Sequence, residues 1–193
     1  MTRGKAQGQN KEYQVLCRDV LMREHQDLAA FRGDGIDIPL DVGDTVWTFD
    51  VALRAPDDRL VLAECRRRKQ AVKQEDVAAF AYRVEQVRKH IHPAVAAVFL
   101  TKSDFQAGAL RVAASAGVSA IICAQGQQLE NFRLRYLRHD PDRQRRVERM
   151  VYHYTGGRGK LTLEGRRWLK QMLSGATRRT VRGEPTKSGR PHS

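Results

Sequence analysis

Two acidic residues in apolar surroundings are the first candidates for chemistry in this chain. Asp50 lies in the segment TVWTFDVAL, and Glu64 ends the run VLAE after thirteen intervening residues. A buried carboxylate without a partner is costly, so each of them needs a cation or a hydrogen-bond donor nearby. Arg66 follows Glu64 at the two-residue spacing that places both side chains on one face of a strand.

Two chemical interpretations of these residues are open. If the segments around Asp50 and Glu64 form a hairpin, the two carboxylates come into range of each other with a guanidinium beside them. Such an oxygen-rich site suits Mg²⁺, which takes one or two carboxylates together with water and substrate phosphate. An ordinary Asp–Arg or Glu–Arg salt bridge on a sheet explains the same spacing equally well.

Other features of the sequence exclude several classes of protein. It contains no P-loop, no GxGxxG and no Ser-His-Asp set, so NTPase, dehydrogenase and triad-hydrolase functions lack support. It has no apolar run of about 18 residues and no apolar segment of a secretory signal near its start. We therefore expect a cytoplasmic protein without a membrane partner. The three cysteines are far apart in apolar contexts, which predicts reduced core thiols.

The spacing of apolar residues predicts the element order α-β-β-β-α-β-α-β, ending near residue 125. Helical spacing occurs in KEYQVLCRDVLMREHQDLAAF, QEDVAAFAYRVEQVRKH and SDFQAGALRVAASAG. A short strand lies within RGDGIDIPLDVGD, and the alternating TVWTFDVAL forms a hairpin with RLVLAEC, the odd residues from 47 to 53 sharing a face. AVAAVFLT and VSAIICA are continuous apolar runs, typical of strands covered on both sides. The fold class is therefore α/β, with a mixed central sheet flanked by helices.

Positive charge is concentrated in the last third of the chain. Residues 1–130 hold 18 Lys and Arg against 17 Asp and Glu, whereas residues 131–193 hold 17 against 5. A regional excess of this kind predicts a polyanionic partner, most often nucleic acid, although a solvated surface also accounts for it. We predict a disordered N-terminus over 1–11, a basic helical extension over 127–175 and a disordered basic tail over 176–193.

The segments around the two carboxylates are similar to a known family. Asp50 followed by Glu64-Cys65-Arg66 resembles the core of the PD-(D/E)xK nucleases, in particular their Mrr-like type IV restriction endonuclease branch. VLAECRRRKQAVKQEDVAAF resembles that family's strand, basic turn and helix, and VFLTKSDFQAGALRVAASAGVSAII resembles its next strand, turn, helix and strand. EYQVLCRDVL is similar to its first helix. The resemblance covers residues 12–125 and implies a restriction-endonuclease-like nuclease domain over 12–126.

Taken residue by residue, the resemblance implies a site for Mg²⁺ or Mn²⁺. Asp50 and Glu64 would bind the metal, and the Cys65 carbonyl would be a further ligand. Gln14 would take the accessory position on the first helix. Arg66 stands where the family has Lys. Because Arg is effectively never deprotonated, Arg66 can neutralise charge on a phosphate but cannot act as a base.

The resemblance and the charge distribution together predict a set of DNA contacts. The cations expected to contact the phosphates of double-stranded DNA are Arg67, Arg68, Lys69, Lys73, Arg133, Arg135 and Arg138. Several cations of the helical extension can share one helix face, although a solvated helix surface explains the same spacing; these cations are Arg133, Arg135, Arg138, Arg143, Arg145, Arg146 and Arg149. The implied activity is hydrolysis of phosphodiester bonds in the restriction of foreign DNA, in a prokaryotic or phage-like setting near the nucleoid. A homodimer would suit double-strand cleavage. The alternative is a non-catalytic DNA-binding protein on a degenerate PD-(D/E)xK fold.

Overall fold

A computed structural model describes residues 3–24, 27–125, 132–140 and 145–153. Over these residues the elements in chain order are α1 (Arg3–Glu24), β1 (Ala29–Ala30), β2 (Ile36–Val42), β3 (Thr45–Arg54), β4 (Leu60–Arg66), α2 (Gln74–His90), β5 (Val95–Thr101), α3 (Ala107–Ala116), β6 (Val118–Gln125), β7 (Phe132–Asp140) and β8 (Arg145–His153). None of the described helices is long and apolar enough to span a membrane.

The described strands form one mixed sheet in the order β1-β3-β4-β5-β6-β7-β8, with β2 paired to β3 beside β1. β4, β5 and β6 run parallel to one another, and the other pairings are antiparallel. α2 and α3 supply the crossovers that parallel neighbours require. β5 is buried along its whole length and β4 up to its last residue, which explains their continuous apolar runs.

Helices cover both faces of this sheet. The apolar side of α1 packs on one face, against the odd-numbered residues of β4 such as Val61 and Ala63. The buried stripe of α2, which includes Phe80 and Val84, packs with α3 on the other face, against Leu60 and Leu62. The predicted α/β class, a mixed sheet flanked by helices, is confirmed.

The predicted helical extension is wrong where the structure describes it. Residues 132–140 and 145–153 form the antiparallel strands β7 and β8, and β7 pairs with β6. The segment FRLRY alternates apolar residues with Arg, and Leu134 and Tyr136 are both buried. A strand explains this two-residue period, and pairing with β7 covers the edge that β6 would otherwise expose. Residues 154–193, including the predicted tail, lie outside the described part of the chain.

Two predicted segment boundaries also differ from the structure. α1 begins at Arg3, so a helix occupies most of the segment over which the sequence predicts disorder. The sheet continues past residue 126 into β7, whose Leu134 belongs to the same core cluster as α1. The domain that the sequence predicts to end at residue 126 therefore continues past β6.

β3 changes faces in its middle, which the predicted alternation missed. Phe49 packs in the core under α2, whereas Val51 and Leu53 pack in the core under α1. The change coincides with a change of neighbours, since β2 pairs with β3 from Thr45 to Val51 and β4 pairs with it from Val51 onward. Asp50 lies at this point.

Candidate active site

Asp50 lies where β3 and β4 separate. The ladder between the two strands ends at the pair Val51 and Ala63, one residue before Asp50 and Glu64. Beyond it, the backbone N–H of Cys65 donates to Oδ2 of Asp50 at 2.7 Å. The carboxylate thus satisfies a strand donor that has lost its backbone partner, and the position of Asp50 is fixed by β4 itself.

Gln14 binds the other carboxylate oxygen of Asp50. It is a buried polar residue of α1, and its Nε2 donates both to Oδ1 of Asp50 and to Oδ1 of Asp37, each at 2.9 Å. The structure therefore brings the predicted accessory residue of the first helix to the predicted metal ligand. One amide bridging two carboxylates offsets part of their mutual repulsion.

Asp37 is a residue of this site that the sequence analysis missed. It faces Asp50 in the register of β2 and β3, because the flanking pairs are Ile36 with Val51 and Ile38 with Phe49. It has a positive φ of 51°, a conformation that Asp tolerates better than most residues. The alternation of apolar and polar residues in IDIPLDV is the signal that places Asp37 away from the core, but it does not indicate which carboxylate Asp37 meets.

Glu64 is buried and ion-paired at both of its oxygens. Only 2% of the residue is exposed. Its Oε1 pairs with the guanidinium of Arg66, and its Oε2 accepts from Arg83 at 2.7 Å. Burial raises the pKa of Glu64 above its usual range and the negative charge of Asp50 raises it further, while Arg66 and Arg83 lower it. The register agrees with this influence of Asp50, because both residues come directly after the pair Val51 and Ala63.

Arg83 is the second residue that the sequence analysis missed. From α2 it reaches both Glu64 and the carbonyl of Thr48 in β3, which accepts at 3.0 Å. Its guanidinium lies over the rings of Phe49 and Phe80, at 5.6 and 5.8 Å from their centroids. The signal was a cation three residues after Phe80, on the stripe of α2 that faces the sheet.

Cys65 presents only its backbone to this site. Its side chain lies on the α1 face of the sheet, in the same core cluster as Cys17 and Cys123. All three cysteines are free and buried, as the sequence predicts, and burial raises the pKa of the Cys65 thiol. Tyr13 donates its hydroxyl to the carbonyl of Cys123 at 3.0 Å, which ties α1 to β6.

The predicted phosphate-binding cations fall into two groups. Four of them follow β4, where Arg67 is half-buried and the exposed residues are Arg68, Lys69 and Lys73. The other three lie on β7, namely Arg133, Arg135 and Arg138. The shared helix face predicted for the β7 group is wrong, because β7 is a strand with a register irregularity at Arg135 and Tyr136.

Carboxylate oxygens such as those of Asp50 and Glu64 are the ligands that a hard divalent cation prefers. Among the residues that the structure describes, no group of three or more His, Cys, Asp and Glu side chains is placed to hold a metal ion. A cation here would therefore bind one or two carboxylates and complete its shell with water, a backbone carbonyl and substrate phosphate, as Mg²⁺ does. It would also have to compete with Arg66 and Arg83 for Glu64.

Comparison with known proteins identifies a family. The model of a family described as "Domain of unknown function (DUF7527)" matches residues 25–131, more than half of the chain. The match begins after α1 and ends just before β7, so it includes Asp50, Glu64, Arg66 and Arg83 but not Gln14. No curated protein matches the sequence.

Solved structures resemble the chain distantly. A protein of unknown function, AF1548, is 17% identical with a TM-score of 0.46, and the match covers 57% of each chain. A complex of EndoMS with double-stranded DNA is 17% identical with a TM-score of 0.37, and the match covers 47% of this chain and 37% of that one. A repair endonuclease from Pyrococcus abyssi is 13% identical with a TM-score of 0.36, covering 47% and 38%. The chain thus spans little more than half of the first structure and less than two fifths of the other two.

Proposed function

The chain belongs to the DUF7527 family, and we propose that it is a metal-dependent DNA endonuclease. Asp50 and Glu64 would form the site at which it hydrolyses the phosphodiester bonds of DNA. One observation carries this proposal. Two carboxylates on adjacent strands directly follow the last pair of the β3–β4 ladder, where the strands separate, with the Arg66 guanidinium on one of them. We assign the chain to the Mrr-like branch of the PD-(D/E)xK superfamily as part of this proposal. The assignment rests on the resemblance of the segments around Asp50 and Glu64 to that family.

Each residue of the proposed site has a separate role. A bound Mg²⁺ or Mn²⁺ would position a water molecule and offset charge on the scissile phosphate. Asp50 and Glu64 would hold that cation, with the Cys65 carbonyl as a further ligand. Gln14 keeps the Asp50 carboxylate oriented through its amide. Arg66 would neutralise charge that develops on the phosphate, as guanidinium groups do at phosphoryl centres.

The cations around the site support a DNA substrate. Arg67, Arg68, Lys69 and Lys73 follow directly on the strand that carries Glu64. Contacts of these cations to phosphates would give affinity that is independent of base sequence and falls with salt. Double-stranded DNA is the proposed substrate, and the restriction of foreign DNA is the proposed setting.

A non-catalytic DNA-binding protein is the second candidate, and one observation favours it. Both oxygens of Glu64 are paired with guanidinium groups, and the nearer cation in sequence is Arg66 rather than a Lys that could lose a proton. In that case the two arginines would hold Glu64 as a structural ion pair, and the cations after β4 would bind DNA without cleavage.

Cleavage of supercoiled plasmid separates the two candidates. The wild-type protein with Mg²⁺ or Mn²⁺ is expected to nick the plasmid, whereas Asp50→Asn and chelation of the metal should both reduce nicking to background. DNA binding is measured in parallel by gel shift in a metal chelator. Plasmid that stays intact with either metal while the gel shift persists would establish the non-catalytic candidate.

A further inference from the structure

A cavity lies beside the proposed site, because Arg66 at the end of β4 belongs to its lining. Its volume is about 200 Å³, and it is lined by the last residue of β4, the following loop and the first turn of α2. The charged side chains of its lining are Arg66, Arg68, Lys73 and Asp76. Three cations and one carboxylate give this lining a net formal charge of +2, so the cavity is suited to an anion.

Asp76, the single carboxylate of the lining, already interacts with neighbouring residues. Asp76 accepts from the backbone N–H of Lys73 at 3.2 Å, and its other oxygen lies 3.8 Å from the guanidinium of Arg68. The exposed amine of Lys73 makes no ion pair with any residue that the structure describes. Lys73 and Arg68 therefore retain donors that can turn toward an anion in the cavity.

Arg66 connects the cavity to the proposed catalytic carboxylates. One of its terminal nitrogens pairs with Glu64, while its Nε is buried and has no hydrogen-bond partner within the described part of the chain. The planar guanidinium can bind a second oxyanion, because it carries five donors in a fixed fork. An anion in the cavity would thus share Arg66 with Glu64.

The chemistry of the lining favours a phosphate monoester over an internal phosphodiester. A monoester carries between about 1.5 and 2 negative charges at neutral pH with three free oxygens, matching a lining of three cations. It also has only one ester substituent and can enter a recess, whereas an internal phosphodiester is tethered on both sides.

We propose that the cavity lined by Arg66, Arg68 and Lys73 binds the terminal phosphate of a nucleic acid strand. Strands that end in a phosphate, at a duplex end or a nick, are then the preferred substrates of the site at Asp50 and Glu64. The inference deepens the proposed function and rests on it for the link to cleavage. Free inorganic phosphate shares the chemistry of the ligand, so the test must distinguish the two sources.

Fluorescence anisotropy in a metal chelator tests the proposal without requiring cleavage. The probes are one duplex with hydroxyl ends, the same duplex with 5′-phosphates and the same duplex with 3′-phosphates. We expect one phosphorylated form to bind at least about ten-fold more tightly than the hydroxyl form, the effect of one or two charge-assisted hydrogen bonds. Lys73→Ala and Arg68→Ala should each reduce this preference, because they weaken binding of the phosphorylated form more than binding of the hydroxyl form.

The matched control is Lys89→Ala. Lys89 is an exposed cation in the last turn of α2, at the opposite end of the helix from the cavity, so its variant should keep the full preference. Equal affinity for all three duplexes, or a preference that survives in both cavity variants, would overturn the proposal. Inorganic phosphate that binds the cavity as tightly as the phosphorylated duplex would also overturn it. Because the measurement needs no metal, it can succeed or fail independently of plasmid nicking.

Discussion

At the scale of single residues, Arg66 is the main departure from the nuclease pattern that the sequence resembles. Restoring the Lys of that pattern tests its effect. Arg66→Lys keeps a positive charge beside Glu64 but introduces an amine that can lose a proton. We expect this variant to nick plasmid faster than wild type, and Arg66→Met to lose the activity. Initial rates under identical metal and salt conditions measure both effects. A slower Arg66→Lys protein would show that the guanidinium itself is required.

The proximity of Asp50 and Glu64 makes a prediction that does not depend on activity. The charge of Asp50 raises the pKa of Glu64, whereas Arg83 lowers it. Asp50→Asn should therefore lower that pKa, and Arg83→Gln should raise it. NMR titration of the labelled Glu64 carboxyl measures both shifts. An unchanged Glu64 pKa in Asp50→Asn would mean that the two carboxylates do not share a site.

The raised pKa of the Glu64 carboxyl makes the free energy of unfolding depend on pH. Because the pKa of Glu64 is raised above its ordinary value of 4.5, the folded chain binds this proton more tightly than the unfolded chain. Between 4.5 and the folded pKa, the contribution of Glu64 to the free energy of unfolding is thus lost as pH rises. Urea unfolding of wild type and Glu64→Gln should show wild type losing stability relative to the variant as pH increases from 4.5. If wild type instead gained stability relative to Glu64→Gln as pH increased, the pKa of Glu64 would not be raised in the folded chain.

The candidate site was only partly predictable from the sequence. Asp50, Glu64 and Arg66 could be found because strand period and spacing place them near a hairpin. Asp37 and Arg83 reach the site from β2 and α2. Their contacts depend on sheet register and helix packing, which local spacing does not determine.

At the scale of elements, the central part of the fold was predictable and its two ends were not. β5 and β6 follow from short, continuous apolar runs, and α2 from an apolar stripe at helical spacing. β7 was missed because its Arg and Leu residues favour helix intrinsically. Pairing with the edge of β6 overrides this preference and makes the segment a strand, because the pairing buries Leu134 and Tyr136.

The place of β7 in the core can be tested by its contribution to stability. Leu134 is fully buried in the cluster that includes α1, and Leu134→Ala should lower the free energy of unfolding by about 2–5 kcal/mol. Arg111→Ala, on the exposed side of α3, is the control and should change it by less than about 0.5 kcal/mol. Urea unfolding measures both. A loss for Leu134→Ala as small as that of the control would place β7 outside the folded core.

At the scale of the whole molecule, positive charge is concentrated in the last third of the sequence. The chain carries a net charge of +13, and residues 131–193 supply most of it. The carboxylates and the cavity belong to residues 1–130, which hold 18 Lys and Arg against 17 Asp and Glu. The C-terminal cations would therefore add affinity for any DNA backbone, and the residues around Glu64 would determine what happens to the bound strand.

The most direct test of the central claim is plasmid nicking by wild type and by Asp50→Asn, with and without Mg²⁺ or Mn²⁺. A metal-dependent nuclease predicts nicked plasmid only for wild type with metal, while both proteins shift DNA in a gel. Gel shift by both proteins without nicking by either, at any concentration of either metal, would contradict the claim. Nicking by Asp50→Asn at the wild-type rate would contradict it as well, because the activity would then arise elsewhere.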